Sequence, residues 1–396
     1  MRGIYLKLIV FILIAISFYA IGNYYIGKRL FERIQYRYTL NSKFFWVIFW
    51  CIALSYVVSR LVGTYLPKYI GSTFLYVGIY YFAIASYLVI IFPLIDMVKV
   101  FNRRLGFLPK EPILYNKLGF LISIFIAVAI GVILAYGTWS GRSSYVKSYD
   151  VKINKSFKEE NLKIALLSDI HLGDYMDVNR LKSLVSEVNK VSPDIILIAG
   201  DLVDSSIKPI IKYDMVKELG ALQSKYGTYF AFGNHDITQN KTNTLTELLE
   251  SEGIKVLRDD YELINDSFYV VGRDDVAVSR VGRKRKDLKE ITKKLDKSKP
   301  VIVIDHNPKE ITEAHDENID LQVSGHTHKG QFVPYNLVTN RNYDMVYGYD
   351  KKDDFNIVVS SGYGTWGPPI RIGSRSEIVQ INLSSNAEFV KEEVSD

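Results

Sequence analysis

Cysteine is almost absent from this chain: Cys51 stands alone among 396 residues, inside an apolar run. No intrachain disulfide can form, and the compartment cannot be read from cysteine usage. No internal repeat and no low-complexity tract occur, which leaves out repeat arrays and biased tails. No G-x-x-x-x-G-K motif occurs either, so the Gly-rich loop near the end matches no nucleotide-binding fingerprint. A strong charge of one sign is also missing. The net charge is +6, and much of the excess flanks apolar runs. That pattern suits a membrane protein better than a nucleic-acid binder, and no duplex partner is expected.

What is present is unevenly spread. The first third is dominated by Ile, Leu, Phe, Tyr and Val, and the rest is ordinarily charged. Four stretches reach the roughly 20 residues needed to cross a bilayer. They are Leu8–Gly27, Phe44–Leu66, Tyr69–Ile95 and Leu118–Gly141. Pro93 predicts a kink or an exit near the end of the third. A cleaved signal peptide is the rival reading of the first stretch. Its run is longer than a signal core of about 7–15 residues and lacks a clear cleavage site. No stretch carries a central Asp, Glu, Lys or His, which favours anchoring over transport. Basic residues collect in the first loop (Lys28, Arg29, Arg33, Arg37, Lys43) and the third (Lys99, Arg103, Arg104, Lys110, Lys117). Those loops are expected in the cytoplasm, which puts both termini and the soluble part outside a multi-pass cell-membrane protein.

The expected organisation is a transmembrane region 1–141, a polar linker 142–160 and a soluble domain 161–396. In the domain, strands and helices alternate. Strands are predicted at Lys163–Ser168, Asp194–Ala199, Thr228–Phe232, Tyr261–Ile264, Phe268–Val271, Val301–Asp305, Ile319–Val323, Asn356–Ser360 and Glu377–Ile381. Helices are predicted at Val178–Val191, Met215–Gln223, Thr244–Glu252 and Asp287–Leu295. The class is α/β, with helices outside a β core.

Histidine is scarce, yet five of the six histidines fall in one ordered constellation. It runs Asp169-Ile170-His171, Gly200-Asp201-Leu202-Val203-Asp204, Gly233-Asn234-His235-Asp236, His306, and Gly325-His326-Thr327-His328. Each cluster follows a predicted strand, where a rigid scaffold can aim side chains at one point. Carboxylates, an amide and several imidazoles converging there suit a pair of divalent metal ions. The sixth histidine, His315, lies in an acidic stretch and reads as surface.

This ordered set resembles the calcineurin-like metallophosphoesterase superfamily over about Lys163–Leu383. The segment Ser361–Arg371 is further similar to its membrane-associated YkuE/YaeI-like branch, from which Lys329 departs by replacing a more usual Gly. The resemblance implies a two-sheet β-sandwich flanked by helices, with two metals at the strand ends. It implies that Asp169, His171 and His328 hold one metal. Asn234, His306 and His326 would hold the other, with Asp201 bridging. The ligand types suit Mn, Fe or Zn. The implied reaction is hydrolysis of phosphomonoesters or phosphodiesters by a hydroxide shared between the metals. His235 is expected to protonate the leaving oxygen or neutralise phosphoryl charge, and Asp236 to orient His235. Asp204 could orient a ligand histidine or serve a turn.

Arg371 is the candidate substrate contact. The basic run Arg273, Arg280, Arg283, Lys284, Arg285 and Lys286 could clamp phosphate or meet anionic lipid, although a solvated face is commoner. Tethering would keep the site near lipid-linked or envelope phosphoesters, with membrane lipids as partners; oligomeric state does not follow. The alternative from another class is a catalytically silent membrane sensor or scaffold that retains the metal fold.

Overall fold

The computed structural model describes residues 2–173, 176–237 and 241–386. Met1 and residues 387–396, the outer ends of the expected regions 1–141 and 161–396, lie outside the described residues. The chain divides into two compact units, Met1–Ala135 and Tyr136–Asp396.

The first unit is built on α1 (Arg2–Arg37), α2 (Ser42–Val62), α3 (Lys68–Leu105) and α4 (Pro112–Arg142). All four are long and apolar enough to cross a membrane. Three of them, α1, α3 and α4, exceed the apolar stretches because their polar ends stay helical. In α1 the Arg29–Glu32 pair, three residues apart at 3.2 Å, supports the extra turns. Pro93 does not end α3, which continues for twelve residues to Leu105. Asp96 anchors that extension by accepting from Tyr25 (2.6 Å), Arg29 and Lys99 (3.0 Å). Asn41 caps α2 by accepting from the Phe44 amide at 3.2 Å, and Gly106 ends α3 at φ 66°.

Among its described residues the second unit holds twelve strands: β1 (Ser144–Ile153), β2 (Asn161–Leu167), β3 (Ile195–Ala199), β4 (Thr228–Ala231), β5 (Ile254–Val256), β6 (Asp260–Ile264), β7 (Phe268–Gly272), β8 (Val301–Ile304), β9 (Leu321–Ser324), β10 (Gly348–Lys352), β11 (Phe355–Val359) and β12 (Ser376–Ser385). They form two six-stranded sheets, ordered β1-β12-β2-β3-β4-β5 and β10-β11-β9-β8-β7-β6. The inner strands β2-β3-β4 and β7-β8-β9-β11 are parallel. Parallel inner strands point all their carboxyl ends the same way within each sheet.

Side-chain alternation builds the layers. In β3, Ile195, Leu197 and Ala199 enter the apolar layer shared with Val270, Ile302 and Val323 of the other sheet. Ile196 and Ile198 point oppositely, onto Leu181 and Leu184 of the helix Val178–Val191. Buried on both faces, such strands read as continuous apolar runs. The second sheet is covered in the same way by Leu288 and Ile291 of the helix Leu288–Thr292.

The first part of the expected linker 142–160 is regular structure, and only 154–160 lies between strands. α4 runs to Arg142, and β1 begins two residues later, paired in parallel with β12 from Ser144↔Ser376 to Ile153↔Ser385. β1 is an outer strand, so Lys147, Asp150 and Lys152 are its solvent-facing or half-buried positions rather than spacer residues. The last turns of α4 belong to this unit. Gly137 O accepts from Arg371 N (2.9 Å), and Gly141 O accepts from Ser376 Oγ (2.8 Å) and Arg180 Nη2 (2.5 Å).

Candidate metal centre

Each expected ligand stands just beyond a parallel strand. Asp169 and His171 follow β2, Asp201 follows β3, Asn234 follows β4, His306 follows β8, and His326 and His328 follow β9. The turns that carry them are tight. Asp169, His171, Asp201, His326 and His328 all have φ between 48° and 69°, a left-handed conformation uncommon for residues with a Cβ. Strain of this kind costs about 1–3 kcal/mol per residue and persists where surroundings fix it. Here Asp169 N donates to Gly200 O and His171 N to Asp201 O, both at 3.0 Å, locking the first two loops together. Gly200, at φ 71°, permits the crowding: a Cβ there would come within 2.6 Å of Gly233 N and 2.7 Å of the His306 ring.

Among the described residues three groups of potential ligands converge, one of them His171, Asp204 and His235; the other two hold expected ligands. Asp169, His171 and His328 form one, and Asp201, His306 and His326 the other. In the first, His171 Nε2 lies 3.1 Å from His328 Nε2, and Asp169 Oδ1 lies 3.3 Å from the same His328 nitrogen. In the second, His326 Nδ1 lies 3.2 Å from His306 Nε2. Asp201 Oδ2 stands between the groups, 4.0 Å from His171 Nε2 and 3.2 Å from His306 Nε2. Asn234 Oδ1 is buried without a hydrogen-bond partner. Orphaned buried acceptors are costly unless something fills them, so this oxygen fits a cation. His306 Nδ1 faces Ala199 O at 2.8 Å, which leaves Nε2 free for the centre.

Electrostatics follow from burial and from this crowding. Burial pushes the His171 imidazole down to about 3 and that of His326 down to about 4. His328 is also lowered by burial, helped by His171 and Arg371. Burial and the neighbouring Asp201 push the Asp169 carboxyl up to about 6, against the opposing pull of His306. Burial opposes ionisation of Asp201, but His306 and the other imidazoles hold it well below the carboxylate range. In the converse sense, Asp201 and Asp169 overcome burial and hold His306 well above its ordinary value. His171, His326 and His328, held neutral beside carboxylates, are poised to bind divalent cations, whereas His306 must first give up its proton.

A family model described as calcineurin-like phosphoesterase matches residues 162–330, which spans every group above. A Campylobacter jejuni protein named an uncharacterized metallophosphoesterase is 32% identical across 95% of this chain and 98% of its own length. The chain belongs to the calcineurin-like metallophosphoesterases. A Danio rerio transmembrane protein with metallophosphoesterase domain is 32% identical over 65% of this chain and 62% of its own. The Bacillus subtilis uncharacterized metallophosphoesterase YkuE is 26% identical over 67% and 96%.

Two expectations for this metallophosphoesterase are corrected. Asp236 does not reach the His235 imidazole. The Gly233–Asp236 turn folds back, and the Asp236 carboxylate accepts from Gly233 N and Val203 N, both at 2.9 Å. His235 is oriented instead by the Asp204 backbone carbonyl, 2.5 Å from Nδ1. Its ring meets that of His171 edge-on at 4.9 Å, and His235 is more exposed than the Asp169 and His171 pair. Arg371, the candidate substrate contact, is fully buried, and its guanidinium is committed to backbone carbonyls. Its Nη2 donates to the carbonyls of Ser361 (2.7 Å), Gly362 (2.9 Å) and Gly364 (2.5 Å), and lies 3.4 Å from His328 Nδ1. A Gly-rich loop has few side chains with which to satisfy its own carbonyls, so one guanidinium takes three of them.

The basic run is divided. Arg273 and Arg285 turn inward onto Asp305, and Arg273 also meets Glu313 at 2.8 Å, while Arg280 and Lys284 are exposed. His315 is half-buried, with Nε2 2.9 Å from Asp353. Lys329 has φ 52°, a value natural to the Gly it replaces, and its ammonium lies 4.3 Å over the Tyr347 ring. Two contributors have little signal in the sequence. Ser168 donates to Asp169 Oδ2 (2.6 Å), and its place just before D-x-H is the only hint. Tyr343 lays its ring 5.8 Å from that of His326, seventeen residues away, and no local pattern announces it.

Proposed function

We propose that this metallophosphoesterase is a membrane-anchored, dimetal-dependent phosphoesterase acting on phosphomonoesters or phosphodiesters. The observation that carries the reading is Asp201 Oδ2 standing between His171 and His306; the buried Asn234 oxygen with no hydrogen-bond partner, on the loop after β4, agrees with it. Asp169, His171 and His328 would hold one cation and Asn234, His306 and His326 the other, with Asp201 shared. Mn, Fe and Zn all suit these ligands. When bound, such a pair supplies an acidified water and charge that draws in phosphoryl oxygens.

The chain does the rest. Asp169, His171 and His306, all but inaccessible, keep bulk water from one side of the centre. The more exposed Asn234, His235 and His326 mark the side from which substrate enters. With Nδ1 donating to Asp204 O, His235 presents Nε2 to the phosphoryl group and protonates the leaving oxygen. The segment between His328 and Tyr343 carries exposed Val333, Leu337 and Val338, and Trp366 is also exposed. Exposed apolar residues on the segments that follow His328 and Gly364 suit a phosphoester that carries a lipid.

The apolar helices would span the cell membrane, with the basic first and third loops inside and the catalytic unit outside. Protease added to intact cells is then expected to cut the soluble unit; protection until lysis would reverse the orientation. Full-length protein loaded with Mn²⁺ is expected to hydrolyse bis-p-nitrophenyl phosphate. His235→Ala should keep its metal and lose about 10²–10⁴ in turnover. A metal-replete chain inert toward mono- and diesters would favour the sensor or scaffold reading instead.

A further inference from the structure

The first unit contains a cavity of about 360 Å³ between α1, α3 and the start of α4. Its charged lining is Arg29, Arg33, Lys99 and Asp96, three cations against one carboxylate. Asp96 engages Arg29 and Lys99, which fixes both at the wall. Arg33 is the spare cation: among the described residues its guanidinium has no hydrogen bond or ion pair. It sits directly on α4 at Gly119, where a Cβ would come within 2.8 Å of the guanidinium carbon. A larger side chain at this position would push the guanidinium out of its seat.

Apart from the hydroxyls of Tyr115 and Ser123, the rest of the lining is apolar and includes Ile91, Phe92, Leu118 and Ile122. Ile91 and Phe92 lie in the last turns of the third apolar stretch, and Leu118 and Ile122 in the first turns of the fourth, whereas Arg29, Arg33 and Lys99 lie just beyond the ends of the first and third. The cavity therefore passes from a cationic end to a hydrocarbon-like end within one site. Its polar end belongs to the same basic loops that the charge distribution places on the cytoplasmic side, where anionic lipids concentrate. A neutral lipid gives Arg33 no counter-charge, and a free phosphate leaves the apolar wall uncovered.

We propose that this cavity is a binding site for an anionic phospholipid, with its phosphate on Arg33, Arg29 and Lys99 and its acyl chain along Ile91 and Ile122. The site rests on the membrane-spanning reading, and is separate from the metal centre. Arg is suited to the task because its planar fork can bind phosphate through two hydrogen bonds.

The test uses the full chain in mixed nanodiscs of phosphatidylglycerol and phosphatidylcholine, with retained lipid counted by native mass spectrometry. Phosphatidylglycerol is expected to be retained about tenfold over phosphatidylcholine, the scale of one charge-assisted hydrogen bond. Arg33→Gln and Gly119→Leu should both abolish that preference, whereas Lys110→Gln, an exposed loop cation, should keep it. Equal retention of the two lipids, or an Arg33→Gln protein that behaves like the Lys110→Gln control, overturns the site. Release of phosphatidylglycerol by millimolar glycerol 3-phosphate would assign the cavity to a soluble phosphate instead and overturn the lipid assignment. Alkaline carbonate extraction checks the membrane reading separately. An integral chain without lipid preference defeats this site alone, and an extractable chain defeats both.

Discussion

His306 concentrates the electrostatic logic of the centre. Burial works against its charge, yet Asp201 at 3.2 Å and Asp169 raise it well above the ordinary 6.5. Without a cation it is protonated at neutral pH. Its contribution to stability is then fully present below about pH 6.5 and is lost as the pH rises through its folded value. A cation at Nε2 must displace that proton, so affinity should climb with pH until His306 deprotonates unaided. Calorimetry of Mn²⁺ binding near pH 7, in buffers of differing ionisation enthalpy, should report release of about one proton per chain from this group. The lowered His171, His326 and His328 have none to give. Binding without proton release would contradict the pairing with Asp201. At this scale the sequence was informative about ligand types and silent about partners. Nothing in G-N-H-D shows that the turn folds Asp236 onto Gly233 and Val203, away from His235.

Among elements, the boundary between legible and illegible follows burial. The inner strands β2, β3, β4, β7, β8 and β9 are covered on both faces, so their apolar runs are visible without a partner. The strands missed, β1, β5 and β10, are three of the four outer strands of the two sheets. Outer strands carry charge on the open side, as Lys351 and Lys352 do in β10, and so read as loop. The loop after β11 shows a different failure. Its Gly and Pro content hid how tightly it is held. Arg371 binds three carbonyls on one side, and its own backbone is tied to Gly137 in the last turns of α4. Arg371→Met would strand those carbonyls, each costing about 1–3 kcal/mol when buried and unpaired. We expect a urea midpoint lowered by at least about 3 kcal/mol equivalent, with KM for a soluble diester little changed in whatever remains folded. A raised KM at an unchanged midpoint would restore the substrate-contact reading.

At the scale of the whole molecule, a unit of four apolar helices precedes a calcineurin-like metallophosphoesterase unit that carries the candidate metal centre. The family was legible because a centre built at strand ends leaves its ligands in short motifs, each next to an apolar strand. The seven proposed ligands are spread from Asp169 to His328, yet the parallel inner strands of the two mixed sheets bring six of them, all but Asn234, into two groups. Everything chemical depends on those groups holding two cations through one shared carboxylate. The direct test is the number of Mn²⁺ ions bound per full-length chain at equilibrium, by elemental analysis. The wild type should bind about two, and Asp201→Asn about one or fewer, since the bridge serves both positions. A wild-type chain that binds one ion or none, or an Asp201→Asn chain that still binds two with unchanged affinity, would contradict the shared centre.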